Sequence, residues 1–279
     1  MNKEEKMKVI YTEAEKFLYD ITPIEIRGNK LGKYFDVGKK FKFKDEIFFR
    51  LLGSLQNKQM ATNVIGFWKD NRSPVFKEIL LDYDSDAILM EYKSDADLLF
   101  ESFKKYFSIK NADSDRNLWR MYAKAVISAC KFLSKFKDAT DFDNFVMRFS
   151  YNAFSSAALP MLLEKEIYGL GFALACDFLK ELGYTEYPKP DVHIKDIFAK
   201  FDLCEHNDYS AYKAVIEMAR VVNETPYKVD KIFWLIGSGN YYLDKNNKED
   251  KKGKKKEFIE KMNFILKKIM NEPLKILKA

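Results

Sequence analysis

The sequence predicts an all-α protein. From Asp45 onward, apolar residues recur at intervals of three and four, the spacing that gathers them on one side of a helix. Residues suited to helix caps stand ahead of several of these runs. β-like character is confined to one short run, Ile24-Glu25-Ile26.

Segment 2–19 reads as the first helix. Residues 21–44 are the least helical part: Pro23, Gly28, Gly32 and Gly38 punctuate them, so a small β hairpin or an irregular arm is expected. Asp45 can cap a helix through Ile47, Phe48, Leu51, Leu52 and Leu55, and a second helix is expected over 60–69. Pro74 stands near the start of a short helix, and Ser94 caps another through Leu98, Leu99 and Phe103. Residues 114–136 form one long helix with Leu118, Met121, Tyr122, Ala125, Val126, Ala129, Phe132 and Leu133 as its apolar stripe. Asp141 caps a helix through Phe145 and Phe149. Helices follow near 155–166, 171–182, 191–201, 208–223 and 226–237. The last, about 254–270, is lysine-rich, with Phe258, Ile259, Met262, Ile265, Leu266 and Ile269 on one side. No repeat at a fixed period and no Pro/Ser/Gly linker before residue 245 divides the chain. Residues 1–244 therefore read as a helical domain and 245–279 as a lysine-rich tail with an amphipathic helix.

Composition narrows the class. A hydrophobic fraction of 47% in 279 residues excludes wholesale disorder. No run of about 18 apolar residues predicts a membrane span. The charged start, Met1 to Lys8, leads into no apolar core of a signal peptide. Cys130, Cys176 and Cys204 lie far apart, which argues against a zinc knuckle or a disulfide framework and for a reduced, cytoplasmic protein. Two histidines, His193 and His206, make a His-rich metal site unexpected, so neither metal nor cofactor is expected. The net charge of +6 is local: residues 245–279 hold 12 lysines and 5 acids, a net of +7, and the rest sum to −1. Basicity alone is thus weak evidence for nucleic acid.

The chemistry concentrates between residues 167 and 194. Ile167-Tyr168-Gly169-Leu170-Gly171 reads as a tight turn between two helices, the second running from Phe172 to Leu182. Glycines permit such a turn and a close backbone approach, and amides at the new helix start can bind an anion. Leu170 would pack between the two helices. The alternative is an ordinary helical hairpin with glycines for packing. After Gly183 come Tyr184 to Lys189, then Pro190-Asp191-Val192-His193-Ile194 opening a further helix, which Asp191 can cap.

This order of hairpin, second helix, short loop and Pro190-Asp191-Val192-His193 resembles the HhH-GPD superfamily of base-excision DNA glycosylases. The Asp191-Val192-His193 arrangement looks most like its 8-oxoguanine branch. Upstream, Leu55-Gln56-Asn57-Lys58-Gln59-Met60-Ala61-Thr62-Asn63-Val64-Ile65 is similar to the helix–loop–helix of the same superfamily, particularly its adenine-mismatch branch. There, glutamine or asparagine side chains enter the duplex or border the base pocket; Gln56 and Asn57 would do so here. Their alternative is a polar turn between core helices. The resemblance covers about residues 45–240. It implies a two-lobed helical fold with a helix-hairpin-helix at about 158–183, and double-stranded DNA with a damaged or mismatched base as partner of a monomer.

The chain also departs from that pattern. Bifunctional members carry a Schiff-base lysine two residues after the second hairpin glycine, where this sequence has Ala173. Lys180 lies two turns further on and is expected to face solvent; Lys189 is near Asp191 only in sequence. The glutamate that precedes the turn in the adenine-mismatch branch corresponds to Leu52, with Glu46 too far upstream. Three cysteines cannot build a four-cysteine iron–sulfur cluster. A cluster-free, monofunctional glycosylase remains, with a silent DNA-binding protein or a lyase with a displaced lysine as alternatives.

Under the resemblance, Asp191 is the catalytic candidate. A carboxylate near the sugar stabilises the positive charge that builds as the base leaves, and the start of its own helix should favour its ionised form. The nucleotide must first leave the stack. Gly169, Gly171 and His193 are candidates for phosphate contact. Gln56, Asn57, Tyr168 and Trp234 are candidates for duplex insertion or the base pocket. Trp234 also fits a buried helix, His193 a structural role and Tyr168 a hairpin staple; Trp68 and Trp119 read as core. Lys251, Lys252, Lys254, Lys255 and Lys256 could add salt-sensitive attraction to the DNA backbone or form a solvated segment.

Overall fold

The structure is a computed structural model that describes residues 1–243 and 253–276. Among these residues every regular element is helical and no strand occurs. In chain order the α-helices are α1 (Lys3–Ile21), α2 (Asn29–Gly32), α3 (Lys44–Leu55), α4 (Thr62–Ile65), α5 (Ser73–Ile79), α6 (Ser85–Glu91), α7 (Ala96–Tyr106) and α8 (Leu118–Leu133). They continue with α9 (Ala139–Met147), α10 (Ala153–Glu166), α11 (Phe172–Glu181), α12 (Val192–Lys200), α13 (Asp208–Val222), α14 (Pro226–Ser238) and α15 (Lys255–Ile276). Two units result: one from Met1–Val37 with Thr185–Ala279, the other from Gly38–Tyr184.

In the first unit, α1 packs on α13, α14 and α15, and α12 packs on α13, α14 and α15. Met7, Ile10 and Ala14 repeat at helical spacing along α1 and are fully buried with Phe198, Val215 and Phe233. Helix α15 belongs to this core, because Phe258 and Met262 are fully buried in it. Its entry is set by a close approach of two glycines. A Cβ on Gly253 would stand 1.7 Å from the Gly237 carbonyl oxygen, and the next amide, Lys254 N–H, donates to Ile236 O at 2.8 Å.

In the second unit, α8 packs against α3, α4, α6, α7 and α10. Its buried residues include Tyr122, Ala125, Val126, Ala129, Phe132 and Leu133, as the apolar spacing predicts, with Trp119 added, while Leu118 and Met121 are half-buried. Helix α3 also packs on α11. Arg50 Nη2 and Ser54 Oγ each donate to Asp177 Oδ2 at 3.0 Å, so one largely buried carboxylate joins the two helices. The ends of the unit meet where Lys40 N–H donates to Leu182 O at 3.2 Å. Gly183 allows this with φ +102; a Cβ there would lie 2.6 Å from Gly38 O.

Several local expectations are corrected. Residues 21–44 contain no β hairpin: Ile24–Ile26 is a turn of 3-10 helix behind Pro23, and Gly28 at φ +71 precedes α2. No helix fills 60–69, because Gly66 turns left-handed at φ +64 and ends α4. The cap of α7 is Asp95, not Ser94, and the cap of α9 is Asp138, whose side chain accepts the Asp141 N–H. Asp84 caps α6, a helix that the apolar spacing does not predict. Trp119 is core, but Trp68 is 44% exposed, laid against Gly53, where a Cβ would come within 1.9 Å of its ring. No helix among the described residues is long and apolar enough to cross a membrane.

Because Phe258 is fully enclosed, Phe258→Ala should lower unfolding free energy by about 3–5 kcal/mol. Urea denaturation followed by circular dichroism measures this; a loss well under 1 kcal/mol would show that α15 is not part of the core.

Candidate functional site

The segment 158–194 supplies two local arrangements, one in each unit. The first is the turn between α10 and α11. Helix α10 ends at Glu166, and Ile167 and Leu170 point inward, 0% and 1% exposed. Leu170 N–H donates to Ile167 O at 3.2 Å, which closes the turn. Gly169 takes φ +83, a left-handed conformation that costs other residues about 1–2 kcal/mol. Gly171 is the N-cap of α11 and itself brings no side chain to the first-turn amides. A Cβ on Gly171 would meet nothing.

Around the turn stand two residues of opposite character. Tyr168 is 42% exposed and its N–H donates to Ser128 Oγ at 2.9 Å. The Lys58 ammonium lies 4.2 Å from the Tyr168 ring centroid, and its Cδ would stand 3.0 Å from a Cβ on Gly169. A cation therefore flanks the glycine turn. Sequence reasoning missed Lys58 as a site residue: it lies inside the quoted Leu55–Ile65 run, but nothing in that run shows that it folds toward Gly169.

The two amide candidates next to Lys58 fare differently. Gln56 is fully buried, and its Oε1 accepts the Phe67 N–H at 3.0 Å. It continues the inward stripe of Leu52 and Leu55 at the end of α3 and braces the following loop, so in this structure it is not placed to enter a duplex. Asn57 is half-buried, and its Oδ1 accepts the Thr62 hydroxyl at 2.7 Å across the turn. Lys180, expected to face solvent, is 4% exposed.

The second arrangement is the start of α12. Asp191 follows Pro190 and is the N-cap: its Oδ1 accepts from His193 N–H at 2.9 Å and from Ile194 N–H at 3.1 Å. Its loop is fastened from α14, where Asp230 Oδ2 accepts the Lys189 N–H at 2.7 Å. Burial raises the Asp191 pKa first, and the Asp230 carboxylate raises it further; the Ile194 amide, His193 and Lys189 pull the other way without winning. This corrects the expectation that the helix start would favour the ionised form. Desolvation of the charge outweighs the amides.

His193 is half-buried, and burial holds its pKa below the usual histidine value. Its ring packs against Gly237, where a Cβ would stand 2.5 Å from His193 Cβ, and its buried Nδ1 has no hydrogen-bond partner. Asp191 and His193 are thus brought together. Trp234 is half-buried, with its indole 5.9 Å from the Tyr242 ring and 5.3 Å from the Lys231 ammonium. Of the basic cluster, Lys254 pairs with Glu257 at 2.7 Å and Lys255 pairs with Asp196, while Lys251 and Lys252 lie outside the described residues. No group of three or more metal-ligating side chains occurs among the described residues.

A raised carboxyl pKa has a definite stability signature. The folded state keeps the Asp191 proton to higher pH than the unfolded chain does. Stability therefore falls as pH rises from the ordinary aspartate range through the folded value, and stays lower above it. Asp191→Asn keeps a cap of similar strength and removes the buried charge. The variant should melt at or above the wild-type temperature at pH 7, with the difference shrinking toward pH 3. A variant that melts well below wild type at pH 7 would show that the charge stabilises the fold.

Comparison of the chain with protein-family models, with curated proteins and with solved structures finds no match.

Proposed function

We propose that this chain is a DNA glycosylase that turns a damaged or mismatched base out of duplex DNA and hydrolyses its N-glycosidic bond. The observation that carries the reading is Asp191, a largely desolvated carboxylate at a helix start directly after Pro190. Its Oδ1 takes both helix amides, which leaves Oδ2 as the oxygen that can face a sugar. In that role an ionised Asp191 stabilises the positive charge developing on the deoxyribose and orients the attacking water. The resemblance to the HhH-GPD superfamily and its two-lobed fold belongs to this proposal, and the Asp191-Val192-His193 run points within it to 8-oxoguanine.

The glycine turn supports a duplex partner. The glycine at the start of α11 and the Lys58 ammonium beside Gly169 let a phosphate approach the backbone and a charge without reading sequence. Ala173 at the lysine position of the bifunctional members favours hydrolysis without a lyase step. A second reading, a non-catalytic hairpin protein that only binds DNA, is favoured by one fact: capping α12 is by itself a sufficient structural reason for Asp191.

Labelled duplexes carrying a panel of oxidised, alkylated and mismatched bases separate the two. A glycosylase leaves alkali-labile sites on at least one of them, and Asp191→Asn lowers that rate by about 100-fold or more while duplex binding persists. Gly171→Glu, which has room for its side chain, should weaken binding of every duplex. Binding without excision across the panel supports the second reading, and unaltered excision by Asp191→Asn overturns the first.

A further inference from the structure

The Gly38–Tyr184 unit also holds a cavity of about 650 Å³ that the glycosylase reading does not use. Asn63, Val64 and Arg72 line one part, and residues of the 106–119 segment line the rest. Three lining residues are cationic, Arg72, Lys110 and Arg116, and no lining residue is acidic.

The wall is built by specific bonds. Asn117 Oδ1 accepts the Trp119 N–H at 2.9 Å, while its Nδ2 donates to Lys110 O at 2.8 Å and to Asn111 O at 3.1 Å. One side chain thus caps α8 and pins the loop that carries Lys110, with Asn111 in the left-handed conformation at φ +52. Arg72 Nη1 donates to Val64 O at 2.6 Å, and its guanidinium lies 5.3 Å from the Phe107 ring centroid and 5.6 Å from that of Trp119. Its hydrogen-bond partners there are the carbonyls of Val64 and Ile65, and no carboxylate pairs with it among the described residues. Lys110 and Arg116 are exposed and make no ion pair among the described residues. Phe107 stacks on Trp119 at 4.5 Å and 25°, lies 5.2 Å from the Phe76 ring, and is half-buried.

We propose that this cavity binds a nucleotide, with its phosphate held by Lys110, Arg116 and Arg72, its base against Phe107 and the base edge met by the amides of Asn63 and Asn111. Three cations without an acid select an anion. A half-buried aromatic ring in the lining, Phe107, favours an anion that carries a planar ring, and the volume exceeds what phosphate alone would need. Amide side chains supply both donors and acceptors, which suits a base edge. The nucleotide can be free or the phosphorylated end of a DNA strand; both present the same chemistry, and the site does not depend on the glycosylase proposal.

Calorimetric titration of the full chain with adenosine monophosphate, inorganic phosphate and a short 5′-phosphorylated single-stranded oligonucleotide tests this. Saturable binding of the monophosphate, the oligonucleotide or both, tighter than that of inorganic phosphate, is the expected result. Preference between the first two identifies the source. The double change Lys110→Glu with Arg116→Glu should weaken it by about tenfold or more without altering the melting temperature. Phe107→Leu should weaken the nucleotide and leave inorganic phosphate unchanged. The proposal is overturned if neither nucleotide form binds, if inorganic phosphate binds as tightly, or if the double variant, folded, binds like wild type.

Discussion

The start of α12 depends on a single carboxylate. Asp191 sits where burial and a neighbouring acid both oppose its charge, yet its Oδ1 holds two amides that would otherwise lack a partner. Asp230 fixes the approach by taking the Lys189 amide, and Gly237 makes room for His193 two residues along. A side chain placed this firmly, in a poorly solvated position, is suited to act on charge that appears only in a transition state. The same firmness also serves the cap, since Oδ1 holds both amides and Oδ2 is the oxygen left for chemistry.

The other unit presents the opposite logic. Where α12 has a side-chain cap, α11 has a glycine. Around that glycine-led helix start the chain places an exposed tyrosine and the Lys58 ammonium, while the buried Leu170 anchors the turn. Positive charge in this protein is therefore local and geometric. The lysine-rich end that dominates the formal charge is partly spent on Glu257 and Asp196, and its helix is held in a hydrophobic core by Phe258 and Met262.

Helical periodicity made most of the fold legible. The stripe of α8, the break at Ile167–Gly171 and the cap at Asp191 all follow from spacing and residue type. Short-range signals failed where two candidates competed, as with Ser94 against Asp95, or where one glycine stopped a helix, as at Gly66. Long-range facts were not legible at all. Nothing local shows that Gln56 turns inward to the Phe67 amide, that Lys58 reaches Gly169, or that Asp230 faces Asp191 and reverses the direction of its pKa shift. The cavity beside Phe107 is of this kind too, since its cations come from segments far apart in the chain.

The most direct test of the central claim is the pH dependence of single-turnover base release on a duplex lesion substrate. If ionised Asp191 supports bond cleavage, the rate should rise with pH through one ionisation lying above the ordinary aspartate range, in the direction its burial and Asp230 impose. A rate independent of pH across that range, or no base release on any lesion, would contradict the account.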